Sequence, residues 1–454
     1  MPLSIVILAA GQGKRMHSDL PKVLQPLGGG TLLEHLVRTA ATLKPAGIHV
    51  IYGHGGEQVP TVLKHLPVHW VLQTEQLGTG HALMQALPQI PDEHEVLVLY
   101  GDVPLVRAET MRALTVSARR GELAVLTAHV ANPGGYGHVL RDAENQVQRI
   151  VEDKDATPDE RKINEINTGL LACKAAPLRR WLKDVRNNNA QKEYYLPDVI
   201  PMAVKEGVLV SGIVALQESE VAGVNDRVQL AAAERALQQR NAEALMQQGV
   251  TVRDPARIDV RGELLCGRDV VIDINCVFEG AVKLGNRVRI GPNVVIKDCE
   301  IGDDTEVFAN CVLDGARIGA RVRIGPFARI RPETGLADGV HIGNFVEVKK
   351  SRVGKNSKAN HLAYLGDAEI GNNVNVGAGA ITCNYDGVNK HRTVIGDGAF
   401  IGSNSSLVAP VTVGADATIG AGSVIAGDAP AHALTLTRTE QKTHKDWKRP
   451  EKKS

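Results

Sequence analysis

Two parts of this 454-residue chain hold side chains able to do chemistry. In the first, Leu8-Ala9-Ala10-Gly11-Gln12-Gly13-Lys14-Arg15-Met16 closes a short apolar run, and Pro21-Lys22-Val23-Leu24 follows closely. Small residues at such a point let backbone N–H groups approach a phosphate chain, and Lys14, Arg15 and Lys22 supply cations to neutralise it. The dinucleotide fingerprint needs a glycine where Met16 stands, and the Walker loop needs Ser or Thr where Arg15 stands, so neither describes the string. Further along, Tyr100-Gly101-Asp102-Val103-Pro104 ends another apolar run. A carboxylate just past the carboxyl end of a parallel strand sits where open α/β sheets place ligand chemistry, and its hard oxygens suit a Mg2+ that bridges phosphates. Capping of the next helix is the structural alternative for Asp102.

The second part contains Asn360-His361-Leu362-Ala363-Tyr364 and Cys383-Asn384-Tyr385-Asp386-Gly387-Val388-Asn389-Lys390. A histidine near neutrality can take a proton from an ammonium nucleophile, which acyl transfer to an amine requires because only the neutral amine attacks a thioester. A lone histidine is more often structural. Arg331 and Lys349 could hold a phosphate, yet alone they are two surface cations.

The second set must be positioned by a repeat. Gly285 and Gly291, Gly319 and Gly325, Gly371 and Gly377, Gly396 and Gly402, and Gly414 and Gly420 are each six residues apart, nearly all preceded by Ile, Val or Leu. One hexad gives a short strand and a turn that cannot bury its apolar face alone, so stacked coils must share a core, and the spacing predicts a parallel β-helix. The step from Gly371 to Gly396 is one residue off the lattice, so residues 383–390 must leave the coil as a loop. The first set belongs to an α/β domain with a mostly parallel sheet. Strands Ser4 to Ala9, His49 to Tyr52, Val96 to Tyr100 and Leu123 to Ala128 alternate there with amphipathic segments such as Thr31 to Leu43 and Glu109 to Arg119. Between the two, Val228 to Gln248 lacks Gly and Pro and carries Leu230, Ala233, Leu237, Ala244 and Leu245 at helical spacing. Such a helix spans about 30 Å and reads as a strut, with Gly249 as its C-cap. The expected division is 1–227, 228–248 and 249–454.

Composition narrows the partners. Lys plus Arg number 52 against 51 Asp plus Glu, so no bulk charge favours nucleic acid or a membrane surface. Six cysteines without metal-ligand spacing read as free thiols in a reducing cytoplasm. The run Leu3 to Ala10 reads as a strand and not as a signal peptide, and nothing approaches a membrane span. Aromatics make up 3% of the chain, which suits a narrow prism. Lys442, Lys445, Lys448, Arg449, Lys452 and Lys453 close the chain as a solvated charge run.

The first string resembles the signature of sugar-nucleotide pyrophosphorylases. The likeness continues through Gln73-Thr74-Glu75-Gln76-Leu77-Gly78-Thr79-Gly80-His81-Ala82, Gly135-Tyr136-Gly137, Val151-Glu152-Asp153-Lys154, Asn167-Thr168-Gly169 and Gly223-Val224-Asn225. It implies a Rossmann-like nucleotidyltransferase domain in which Leu8, Ala9, Ala10, Gly11, Lys22, Gln73, Gly78, Thr79, Tyr100, Gly101 and Asp102 meet the nucleotide. Gly137, Glu152 and Asn167 would contact the nucleotide sugar, and Asp102 with Asn225 would hold Mg2+. Arg15 and Lys22 would offset charge while a sugar-phosphate oxygen attacks the α-phosphorus in line and pyrophosphate leaves. Asn187 to Asn189 and Glu193 to Tyr195 look family-like as well, without an assigned role.

The hexads resemble the left-handed β-helix acyltransferases that use acyl-CoA. Taken over the full chain, the pairing resembles the bacterial bifunctional N-acetylglucosamine-1-phosphate uridyltransferase/glucosamine-1-phosphate acetyltransferases. That likeness implies His361 as proton acceptor, with Arg331, Lys349, Tyr364 and Asn375 on the amino-sugar phosphate. Ala378, Asn384, Tyr385, Ser403, Ala421 and Arg438 would contact acetyl-CoA or shape its site, and the basic tail would lie against the CoA of a neighbouring subunit. The implied protein is a cytoplasmic homotrimer that acetylates glucosamine 1-phosphate and couples N-acetylglucosamine 1-phosphate to UTP, feeding envelope polysaccharide synthesis, with neither nucleic acid nor membrane insertion. A monofunctional pyrophosphorylase with a purely structural prism, or a dead nucleotide-sugar-binding protein, are the rivals. His361 with Asn384 and Tyr385 speaks against the first, and the presence of Asp102, Asn225 and Lys22 against the second.

Overall fold

The computed structural model describes residues 2–11, 13–53, 58–437 and 440–450. Its contacts divide the chain into two compact units, Met1–Leu237 and Gln238–Ser454.

In the first unit, apolar runs without alternation form strands buried on both faces, as a parallel sheet between helices requires. Leu3–Leu8 is buried at every position and lies parallel to Gly47–Tyr52 on one side and Glu95–Tyr100 on the other. Across the sheet the order is Val210–Val214, Leu123–His129, Glu165–Lys174, Glu95–Tyr100, Leu3–Leu8, Gly47–Tyr52 and His69–Leu72. Only Glu165–Lys174 runs against both of its neighbours. Leu8 pairs with Ile51 and with Tyr100, so these strands end level and their following loops share one edge. Helix Leu32–Ala41 begins at a capping box in which Thr31 and Glu34 bond each other's backbone, and Lys44 at φ 52 closes the turn beyond it.

The division falls within helix Arg227–Gln247. Ala233 and Leu237 pack with Leu27, Leu32, Leu105 and Val224, whereas Ala242 and Leu245 join the apolar core of the second unit. The buried Gln238 amide pairs with both backbone groups of Val260, donating at 3.0 Å and accepting at 2.7 Å. Gly249, at φ +94, ends the helix through its N–H to the Met246 carbonyl.

The second unit is a parallel β-helix. Its rungs stack in register, as in Arg289, Glu306, Arg323, His341, Lys358 and Asn375, with a coil taking 17 or 18 residues. Val307, Ile324, Ile342, Ala359, Val376, Ile401 and Ile419 stack inside, and Cys276, Cys299 and Cys311 fill neighbouring interior positions. The six cysteines are free. The step between register partners rises to 25 between Asn375 and Phe400, and residues 384–392 leave the coil there, with Tyr385 bridged to Lys390.

One corner of the prism departs from the usual residue choice. Left-handed backbone favours Asn and Gly, and the lower coils comply: Asn275, Asn293 and Asn310 stack with amide-to-amide bonds of 2.8 and 3.1 Å. Above them the same corner carries Phe327, Phe345 and Leu362, all at positive φ and about half exposed or more, with the two rings stacked at 5.3 Å.

Candidate functional site

The level strand ends of the first unit enclose a hollow of about 470 Å³. Its lining includes Leu8, Ala9, Ala10, Gly11, Lys22, Gln73, Gly78, Thr79, Tyr100 and Asp102, so the sequence-distant strings converge. Gly101 sits directly behind, its N–H bonded to the Leu8 carbonyl. Gly78 takes φ +105 because Tyr194 crosses it: the Tyr194 N–H reaches Leu77, and the Gly80 N–H reaches the Tyr194 carbonyl. A side chain at Gly78 would meet that carbonyl at 2.8 Å, so the turn that opens helix Thr79–Ala86 requires glycine. The Glu193 to Tyr195 segment thereby acquires the structural role that its sequence left open.

Lys22 lies at the floor. Its ammonium is held by Asp102 Oδ2 at 2.5 Å and by Asn225 Oδ1 at 3.0 Å. Asp102 does not cap helix Ala108–Arg119, whose N-cap is Arg107; its carbonyl instead receives the Val224 N–H, tying the two loops together. Two oxygens from distant loops thus converge on one cationic point, which is the donor set a hard divalent ion bound jointly with phosphates needs. Gly223 lies beside that point: a Cβ there would stand 3.4 Å from the Asn225 amide and 4.0 Å from Asp102 Oδ2. Arg15 is exposed on the turn Lys14–Met16, and Gln12 lies outside the described residues.

The remaining residues form a second group. Gly137, Glu152 and Asn167 meet, since a Cβ on Gly137 would be 3.4 Å from Glu152 Oε1 and 3.6 Å from Asn167 Cβ. Glu152 faces a separate hollow of about 620 Å³ that it shares with Asp155, Tyr195, Asp198 and Lys205. Burial, followed by repulsion from Asp155, Asp198 and Glu193, raises the Glu152 carboxyl above its ordinary range. Burial and Asp155 push Asp198 up to about 6. Tyr100 connects the groups: burial raises its phenol, Glu152 and Asp102 both act on it, and its ring leaves no room for a side chain at Gly169. Gln76 and Glu193 line the first hollow although sequence reasoning gave them no role. Both stood inside strings already singled out.

On the β-helix, His361, Ala378 and Ser403 occupy one corner column, each carbonyl receiving the N–H of the residue that turns the next coil, and Ala421 continues the column. His361 Nδ1 lies 2.8 Å from Oδ1 of Asn344 in the coil below. With that oxygen accepting, Nδ1 carries the proton and Nε2 is left to accept one. Asn344 was missed, and its signal was its distance of one coil, 17 residues, from His361. On the adjoining face Arg331 and Lys349 occupy neighbouring coils, and Arg331 bonds Glu347 at 2.9 Å. The Asn384 amide reaches Asp367 Oδ2 and lies 3.5 Å from the Tyr364 hydroxyl. Contact with Lys390, ahead of burial and Arg331, lowers the Lys349 ammonium from its ordinary value. Tyr385 is exposed on the loop and Asn375 lies on the preceding face between Lys358 and Phe400. Arg438 lies outside the described residues, as do Lys452 and Lys453.

Fold and site together define a nucleotidyltransferase unit followed by a hexapeptide-repeat transferase unit. The MobA-like NTP transferase domain matches residues 5–166, the GMPPB C-terminal domain residues 260–364, and the bacterial transferase hexapeptide of six repeats residues 392–427. The Bifunctional protein GlmU of Methylococcus capsulatus is 58% identical over 453 residues, covering 100% of this chain and 98% of the relative. That of Alkalilimnicola ehrlichii is 57% identical over 448 residues, covering 99% and 96%. The chain belongs to the family of bifunctional GlmU proteins. It is an enzyme with uridyltransferase and acetyltransferase activities that together make UDP-N-acetylglucosamine.

Proposed function

We propose that the two activities use the two residue sets separately. In the first unit, Asp102 and Asn225 hold Mg2+, which when bound supplies positive charge to the phosphates. Lys22, displaced from the same two oxygens by the ion, would turn into the hollow to meet the nucleotide. Backbone groups from Leu8 to Gly11 approach the phosphate chain, Gln73, Gln76 and Gly78 face the base, and Gly137, Glu152 and Asn167 meet the sugar. The sugar-phosphate oxygen is already ionised and forms its bond to the α-phosphorus as the bond to pyrophosphate breaks, so no general base is required.

In the second unit, His361 Nε2 takes the proton as the glucosamine nitrogen bonds to the thioester carbon. The C–S bond then breaks and CoA leaves as the thiol. Arg331 and Lys349, joined by Lys390, hold the sugar phosphate. The column Ala378, Ser403 and Ala421, with Asn384, Tyr385 and Arg438, receives acetyl-CoA. The His361 to Asn344 bond carries this reading, because an imidazole with one nitrogen fixed and the other open is built for proton transfer. A purely structural prism gives no reason to expose one.

The enzyme works as a homotrimer whose contact includes the Phe327, Phe345 and Leu362 ridge. Exposed aromatics on left-handed backbone are disfavoured in a lone prism and are retained when a second copy covers them. The free thiols fit the cytoplasm, and among the described residues no helix is long and apolar enough to cross a membrane. The test supplies glucosamine 1-phosphate, acetyl-CoA, UTP and Mg2+ and follows free thiol and pyrophosphate as separate signals. Both must rise, thiol first. Pyrophosphate from N-acetylglucosamine 1-phosphate, with no thiol from glucosamine 1-phosphate, would leave a monofunctional pyrophosphorylase.

A further inference from the structure

The face of the β-helix that follows the Lys349 corner carries a charge ladder with one rung left out. Its outward positions, in register, are Lys283, Glu300, Arg317, Gly335, Arg352 and Glu369. Charge alternates along the ladder until Gly335, where alternation would place an acid and the chain places no side chain. Lys283 pairs with Glu300 at 3.2 Å, and Glu369 is taken by Arg392 at 2.6 Å. Arg317 and Arg352 therefore flank the bare rung, and neither makes an ion pair among the described residues. Two rungs of about 4.8 Å set their backbones on the order of 10 Å apart, within reach of one anion from both sides.

Gly335 is not required by the fold. Its φ is ordinary, and a Cβ there would meet nothing within 4 Å. Glycine within a strand weakens it and marks a place where something approaches the backbone closely. The space it leaves belongs to a hollow of about 750 Å³, floored by small residues such as Gly315, Ser351 and Ala368. Of the other cations on its wall, Lys350 lies 4.0 Å from Glu333 and Arg392 is bound to Glu369. The unbalanced charge is that of Arg317 and Arg352. Guanidinium forks take phosphate oxygens in pairs.

We propose that the hollow over Gly335 is an anion site in which Arg317 and Arg352 clamp the phosphate of a small phosphorylated ligand, on the face beyond the Lys349 corner. The inference does not depend on the roles assigned to His361 or Lys22.

The test uses the full-length protein, with inorganic phosphate and adenosine monophosphate titrated separately at fixed ionic strength and binding read by calorimetry. Gly335→Glu supplies the missing acid from within, and Arg317→Ser with Arg352→Ser removes the clamp. Each change is expected to remove one bound phosphate per chain, or to weaken it at least tenfold, while both transferase rates stay at the wild-type level. Tighter binding of the nucleotide than of phosphate identifies a nucleotide as occupant, and equal binding identifies the bare anion. Unchanged phosphate binding in both variants overturns the proposal. So does loss of the oligomer in Gly335→Glu, which would make this face a contact between copies.

Discussion

Asn344 Oδ1 stands 2.8 Å from His361 Nδ1, one coil below it on the same corner of the prism. With that oxygen accepting, Nδ1 carries the imidazole proton and Nε2 is open. Asn344→Ala is expected to lower acetyl-transfer turnover about tenfold or more with little change in the Michaelis constant for glucosamine 1-phosphate, because orientation and not binding is lost. Asn344→Asp places a carboxylate there, stabilises the imidazolium and shifts the acidic limb of the pH–rate profile upward. Both variants should transfer uridyl groups normally. A profile unmoved by Asn344→Asp would show that Asn344 does not orient the base.

Lys349 and Lys390 stand together beside Arg331, and their mutual repulsion, which Asp367 offsets in part, favours a bound anion. Lys390→Ala should raise the Michaelis constant for glucosamine 1-phosphate several-fold, as Lys349→Ala should, and leave turnover nearly intact. Steady-state kinetics at constant ionic strength decide the matter, and a fall in turnover alone would assign Lys390 to the chemical step.

The Asp198 carboxyl, raised to about 6 by burial and Asp155, has a defined effect on stability. Its folded value lies above the unfolded one of about 3.9, so between them the folded state binds more protons and stability falls as pH rises. Well above pH 6 the loss is complete. Asp198→Asn should therefore unfold at a higher denaturant concentration than the wild type at pH 8, and the advantage should vanish near pH 4. An advantage that is the same at both pH values would mean that the carboxylate is not the cause.

Phe345 takes a backbone conformation that asparagine adopts at Asn293 and Asn310 on the same corner. Phe345→Asn should suit the lone coil at least as well and still weaken the proposed trimer, because it removes an exposed ring from the ridge. Sedimentation at falling protein concentration should show dissociation at concentrations where the wild type remains trimeric. An unaltered trimer would move the subunit contact elsewhere.

Much of this fold was legible because its constraints are local. A hexad must put an aliphatic inside and a small residue at the turn, so the Gly lattice and the excursion after Cys383 could be read directly. The place of Leu8 to Gly11 on the hollow was legible for the same reason, since small residues at a strand end leave room there. What stayed hidden depends on register. Whether a coil takes 17 or 18 residues decides that Asn344 meets His361 and that Gly335 falls between Arg317 and Arg352. Glu152 faces a hollow of its own because the hairpin carrying it meets the segment around Asp198, a long-range contact that no spacing encodes. Strand and helix ends moved by one or two residues where caps such as Thr31 set the boundary.

The central claim is that each unit has its own chemistry, and a pair of variants tests it most directly. Asp102→Ala should release CoA from glucosamine 1-phosphate at close to the wild-type rate and form no pyrophosphate. His361→Ala should lose acetyl transfer by about a hundredfold or more, the scale of a general base, and form pyrophosphate normally from pre-acetylated sugar phosphate. Loss of both activities in either variant, with the protein still folded and trimeric, would contradict the account.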